Sequence, residues 1–159
     1  MTKTKKFKIY IDGGSRGNPG HGACSVVIFD QNEKLVHEEA KYLGICTNNF
    51  AEYNALMQAL SAAKYLKATH LEIFSDSDLL VRQFSGEYKI KNTVLFNLMA
   101  EIMREAAKYK VTLSYIPRAK NKVADKLVNQ ILNKIKINKR LGKSIQKENE
   151  KKFHQPDLF

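Results

Sequence analysis

The sequence predicts an α/β domain: a five-stranded mixed sheet, with an antiparallel meander of three strands plus two parallel strands, flanked by helices. Three observations lead there. Phe7, Ile9 and Ile11 alternate with Lys8, Tyr10 and Asp12, the period-2 signature of a strand, and two more strand-like runs follow closely. Leu56, Ala59, Leu60 and Ala63 then recur at helical spacing. A short β-rich run, Leu71–Ser75, comes after that helix; strand–helix–strand units are right-handed and usually place their strands parallel.

The first strand is expected to stop at Asp12, where Gly13, Gly14, Ser15, Arg16, Gly17, Asn18, Pro19 and Gly20 read as a loop. Glycines there would let the backbone approach a bulky partner. Taken alone, Asp12 reads equally as a turn cap or as a carboxylate presented to an ion. Ala23–Phe29 is a second strand, residues 30–33 a turn, and Lys34–Leu43 a third strand with no cleanly apolar face, hence towards an edge. Thr47, Asn48 and Asn49 open a helix that runs to about Leu66. Glu52 lies one turn before Leu56, in line with the buried stripe, where a carboxylate must be exposed at the sheet's end, paired or bound to a metal.

Asp76 ends the fourth strand. If that strand neighbours the first, Asp12 and Asp76 stand side by side at the carboxyl edge, where open α/β sheets bind ligands. A short helix over Asp78–Phe84, a loop over Gly86–Lys91 and a helix over Thr93–Tyr109 follow, the last with Val94, Leu98, Ile102 and Met103 on its stripe. Val111–Ile116 is the fifth strand, broken by Pro117. A basic link, Arg118–Lys122, leads into a last helix from about Asn121 with Val123, Leu127, Val128 and Ile131 inward and Asp125 in its first turn. Lys134–Lys152 holds eight basic and two acidic residues, so residues 1–133 read as the domain and 134–159 as a basic tail, a frayed helix or disordered.

The net charge of +11 points to a polyanionic partner such as nucleic acid. Cys24 and Cys46 have no metal-type spacing and read as small apolar packing residues in a reducing compartment. The N-terminus has no signal-peptide core and no stretch reaches transmembrane length, so a cytoplasmic protein with no membrane partner is expected. The four histidines are scattered, and the glycine run lacks the Gly-Lys-Ser/Thr of a phosphate-binding P-loop.

Asp12, Glu52, Asp76 and Asp125 come from four elements, each at an element end. Like charges brought together repel unless a cation intervenes. With no His/Cys set beside them, hard oxygen ligands suit Mg²⁺ or Mn²⁺. Two such ions can activate a water and stabilise the leaving oxygen of an in-line displacement at phosphorus. An acidic cup on a basic protein suits phosphodiester cleavage.

Four ordered motifs carry a resemblance: Asp12 to Gly20, Thr47 to Tyr53 with its Thr-Asn-Asn-Phe-Ala-Glu-Tyr, Ser75-Asp76-Ser77, and Asn121 to Asn129 with Asp125 at its centre. Over about residues 5–132 the chain resembles type 1 ribonuclease H. The resemblance implies the ribonuclease H-like fold and metal-dependent endonucleolytic cleavage of the RNA strand of RNA/DNA hybrids, leaving 5′-phosphate and 3′-hydroxyl ends. It implies Asp12, Glu52, Asp76 and Asp125 as catalytic metal ligands for two Mg²⁺ ions, with Mn²⁺ as a substitute. The backbone of Gly13–Gly17, including Gly14, Ser15 and Gly17, would read 2′-hydroxyls. Asn18, Asn48 and Asn49 would contact base edges, Thr47 and Asn49 would hold a DNA-strand phosphate, and Ser77 joins the nucleic-acid-binding set; the protein would act as a monomer.

Two departures bear on this reading. Many members place a His or Glu shortly before the last Asp; Pro117–Lys122 has neither, leaving slower turnover or substitution by Arg118 or Lys120 as alternatives. The extra basic helix of some bacterial members is missing, and the basic tail is expected to supply affinity through counterion release or to act only as a solubilising segment. The terminal Gln155-Pro156-Asp157-Leu158-Phe159 resembles the bacterial sliding-clamp-binding pentapeptide, departing at Pro156, and implies clamp docking through Gln155, Leu158 and Phe159. A hybrid-binding or clamp-tethered accessory domain with little turnover is the alternative function, and a nuclease for DNA junctions a third; all-DNA cleavage would mark the latter.

Overall fold

Five strands form one sheet in the order β3-β2-β1-β4-β5 in the computed structural model, which describes residues 3–141. Along the chain these are β1 (Lys6–Gly17), β2 (Gly20–Phe29), β3 (Leu35–Cys46), α1 (Asn48–Tyr65), β4 (His70–Ser75), α2 (Asp78–Phe84), α3 (Thr93–Ala106), β5 (Lys110–Tyr115) and α4 (Lys122–Leu141), with a short 3-10 turn at Arg118–Lys120. The pairs β1/β2 and β2/β3 are antiparallel, and β1/β4 and β4/β5 are parallel. This is the predicted mixed sheet, with β3 at an edge.

The alternation that predicts β1 sets its faces. Ile9 and Ile11 are wholly buried in the main core, against α1, while Tyr10 and Asp12 point to the other face. β1 does not stop at Asp12. It runs through the glycines to Gly17, paired with β2 as far as Gly17↔Gly20, so the predicted loop shrinks to Asn18 and Pro19. The reason lies in packing. A Cβ on Gly13 would sit 2.3 Å from the carbonyl carbon of Ala51, so any side chain there lifts α1 off the strand. The close approach read as room for a partner is the domain's own helix.

Thr47 caps α1, its Oγ1 accepting from the Phe50 N–H at 3.1 Å. α1 is buried around most of its circumference because the sheet covers one side and α3 another. Asn92 caps α3. The face that α3 buries is Leu95, Leu98, Met99, Ile102 and Ala106. Val94 and Met103, expected on that stripe, are 62% and 45% exposed. Two apolar columns run side by side on this helix, and contact with α1 selects the column one residue round.

α4 packs on the opposite face of the sheet, over β2 and β3, through Val128, Ile131, Leu132 and Ile135 against Ala23 and Tyr42. Ala124 is buried on the same side, Val123 is exposed and Leu127 half-buried, a second correction of phase. The helix also continues past Asn133 to Leu141, with Ile135 and Asn138 buried. The compositional break at Lys134 therefore does not end the helix, because Ile135 keeps the inward spacing while Lys134 and Lys136 stay outside. Cys24 and Cys46 are free and buried, as their apolar reading requires.

Candidate active site

β1 and β4 run in register to Ile11↔Ser75. Asp12 and Asp76 are the next residues on each, so they leave the sheet edge as neighbours. Asp12 lies in the middle of its own strand; it stands at the rim because β4 ends beside it. The absent side chain of Gly13 lets the first turns of α1 rest on β1 at Ala51 and Glu52. That contact delivers Glu52 to the two aspartates. One carboxylate oxygen from each of Asp12, Glu52 and Asp76 lies within 4.8 Å of the others.

Asp125 stands outside this trio but lines the same cavity of about 530 Å³. Its Oδ1 is 3.5 Å from Arg118 Nη2, and its Oδ2 accepts from Asn129 Nδ2 at 3.2 Å. Asn129 Oδ1 in turn accepts from Arg16 at 3.3 Å. Two guanidinium groups thus flank an acidic cup.

The electrostatics are those of buried carboxylates crowded together. Burial first, then the charges of Asp76 and Asp125, hold the Asp12 carboxyl up at about 8 against an ordinary 3.8, with a hydrogen bond from the Gly13 N–H pulling the other way. Burial, then Asp12 and Asp76, push Glu52 well above its usual range. Glu52 Oε2 is sealed from solvent and has no hydrogen-bond partner. Such an oxygen is costly unless something electropositive meets it. Three hard oxygen donors at this spacing, with an orphaned oxygen on the Glu52 carboxylate, fit Mg²⁺ or Mn²⁺.

Three of the predicted nucleic-acid contacts line this cup. Gly14, Ser15 and Asn48 line the cavity with the carboxylates. Asn48 Oδ1 accepts from the Ser15 N–H at 2.8 Å, and Asn18 Oδ1 accepts from the Asn48 N–H at 3.0 Å. These bonds latch the β1–β2 turn onto the start of α1. Thr47 and Ser77 serve as helix caps, and Asn49 is exposed. Gly17, at a φ of 100°, ends β1. Gln155, Leu158 and Phe159 lie outside the described residues.

Sequence reasoning missed Arg16, Asn129 and Asn121. Asn121 is buried, and its Nδ2 donates to the Ile11 carbonyl at 2.8 Å and to Asp76 Oδ2 at 3.3 Å. Its one signal in the sequence is its place just before the helix that carries Asp125. Of the two stand-ins for the missing His or Glu, Arg118 lines the acidic cavity, whereas Lys120 lines a separate cleft with Lys8, Tyr10 and Phe29.

Residues 10–131 match the family described as Reverse transcriptase-like. The ribonuclease HI of Halobacterium salinarum is 35% identical over 127 residues, covering 78% of this chain and 63% of that protein. A bifunctional protein of Mycobacterium tuberculosis is 37% identical over 130 residues, covering 80% of this chain and 36% of its own length. The chain thus spans about a third of the mycobacterial relatives it matches. Among solved structures, RNase H1 from Halobacterium salinarum aligns with a TM-score of 0.78 at 32% identity, covering 80% of this chain and 98% of that one. LC11-RNase H1 in complex with an RNA/DNA hybrid aligns with a TM-score of 0.74 at 39% identity, covering 78% and 94%.

Proposed function

Since this chain belongs to the Reverse transcriptase-like family and carries the ribonuclease H fold, we propose that it is a metal-dependent endoribonuclease that hydrolyses the RNA strand of RNA/DNA hybrids. The observation that carries this reading is the convergence of Asp12, Glu52 and Asp76 to within 4.8 Å, with one carboxylate oxygen orphaned among them. Asp12, Glu52 and Asp76 would hold the ions, and Asp125 offers a further carboxylate at the rim. When bound, two divalent ions supply an activated water and charge stabilisation of the leaving oxygen, giving 5′-phosphate and 3′-hydroxyl ends.

The chain's own residues do the rest. Arg16 and Arg118 set positive charge beside the cup, suited to the phosphate of the attacked strand. The peptide groups around Gly14 and Ser15 border the cavity, where an RNA 2′-hydroxyl would distinguish the strand to be cut. On α2, Arg82 pairs with Asp78 at 2.9 Å and Glu87 at 2.8 Å and lies over the Tyr88 ring. Tyr53 OH donates to Gln83 Oε1, and Gln83 Nε2 donates to the Lys89 carbonyl. This scaffold presents Lys89 and Lys91, both exposed, to a nucleic-acid backbone.

The test is a panel of labelled hybrid, double-stranded RNA, double-stranded DNA and an all-DNA junction with Mg²⁺ or Mn²⁺. Cleavage confined to the RNA of the hybrid is the expected result. No hybrid cleavage with either ion rejects the proposal, and cutting of all-DNA junctions would move the assignment to a junction nuclease.

Arg118 supplies a sharper prediction. Its side chain is 80% exposed, and its pairing with Asp125 contributes little to stability. Arg118→Ala is therefore expected to leave the thermal midpoint unchanged and to lower kcat roughly tenfold, about 1.4 kcal/mol of transition-state stabilisation. Arg118→Lys should recover part of it. Unchanged kcat in the Ala variant would remove Arg118 from the reaction.

A further inference from the structure

We infer that Asn121 is a positioning residue for Asp76 and, through it, sets how tightly the carboxylate cup takes a divalent cation; this rests on the metal reading of the cup given above. Asn121 closes the Arg118–Lys120 turn and immediately precedes α4, with its side chain turned inward and 1% exposed. Its Nδ2 reaches both the Ile11 carbonyl, 2.8 Å away, and Asp76 Oδ2, 3.3 Å away. A backbone carbonyl only accepts, so the amide can face Ile11 in one sense only.

Three elements meet at this one residue. The Ile11 carbonyl belongs to the peptide that leads into Asp12. The Asp76 carboxylate stands at the end of β4. The Asn121 carbonyl accepts from the Asp125 N–H at 3.1 Å, in the first turn of α4. Asn121 thus ties the backbone under Asp12, the side chain of Asp76 and the backbone of Asp125 into one frame.

Its Oδ1 is sealed and unpartnered. A buried unpaired amide oxygen costs stability, so a smaller side chain removes that cost while also taking the donor from the Ile11 carbonyl. What a smaller side chain could not replace is the N–H on Asp76. Without that donor the Asp76 carboxylate is free to rotate about its Cβ–Cγ bond. Hydrogen bonds to metal-ligating side chains typically account for 10- to 100-fold in metal affinity.

The experiment is calorimetric titration of Mn²⁺ into the full chain without nucleic acid, for wild type, Asn121→Ala and Asn121→Ser, with the Mn²⁺ dependence of hybrid cleavage alongside. Both variants should bind Mn²⁺ roughly tenfold more weakly or worse. The Mn²⁺ needed for half-maximal cleavage should rise by a similar factor, with kcat largely recovered at saturating Mn²⁺. Variants that bind Mn²⁺ within twofold of wild type, whatever their thermal midpoints, would show a purely structural role and overturn the inference while leaving the cup intact. A wild-type chain that takes up no Mn²⁺ at millimolar concentration would overturn the metal reading and this inference together.

Discussion

Asp12→Asn is expected to abolish hybrid cleavage, by roughly 10³-fold or more, while hybrid binding survives. The reasoning runs from geometry to magnitude. Asp12 belongs to the trio, and its charge acts on the Glu52 carboxyl. Asn keeps the shape and removes the negative charge that would hold a cation. Charge stabilisation by a bound ion is worth several kcal/mol, and each 1.36 kcal/mol is tenfold in rate. Binding depends mostly on phosphate contacts to basic side chains, which this change leaves alone. The measurements are single-turnover cleavage of a labelled hybrid and a salt-dependent binding titration. A variant that cuts within tenfold of wild type would place the reaction elsewhere. Loss of binding together with cleavage would favour a role in holding substrate.

The second large effect concerns the cup without its ion. The folded chain holds Asp12 protonated up to about 8, whereas an unfolded Asp releases its proton near 3.8. Between those values the native state binds more protons than the unfolded state, so stability falls as pH rises through that window and levels off above it. Glu52 shifts in the same direction and adds to the trend. In EDTA the thermal midpoint should therefore drop from pH 5 to pH 8, and Asp12→Asn should melt above wild type at pH 8. Excess Mg²⁺ should reverse the order. At a hundred times its dissociation constant an ion adds about 2.7 kcal/mol, or roughly 5–10 °C for a domain of this size, and far less at pH 5, where protons occupy the site. A wild-type midpoint indifferent to Mg²⁺ at pH 8 would contradict this account of the cup. So would an Asp12→Asn variant that melts lower than wild type in EDTA.

The sequence made the sheet and the three central carboxylates legible because those features are written locally. Alternation marks β1, a Thr cap marks α1, and a strand–helix–strand order with right-handed crossover brings Asp12 beside Asp76. Glu52 could be read because it breaks an apolar stripe. What escaped depends on distant partners. The glycines after Asp12 look like a loop until β2 is there to pair with them. The two apolar columns of α3 are equivalent until α1 chooses between them. Ile135 looks like part of a basic tail until Ala23 and Tyr42 are placed beneath it. Asn121 resembles any helix-opening asparagine; only the folded chain shows its side chain turned away from solvent.

The contact at Gly13 has a wider meaning. Where β1 meets α1, no side chain lies between the two main chains, and peptide groups touch directly. The distance between Asp12 and Glu52 is thus fixed by the thickness of the polypeptide itself. Substitutions among the surrounding apolar residues can repack the interior without resetting that distance, which decouples drift in the interior from the gauge of the site.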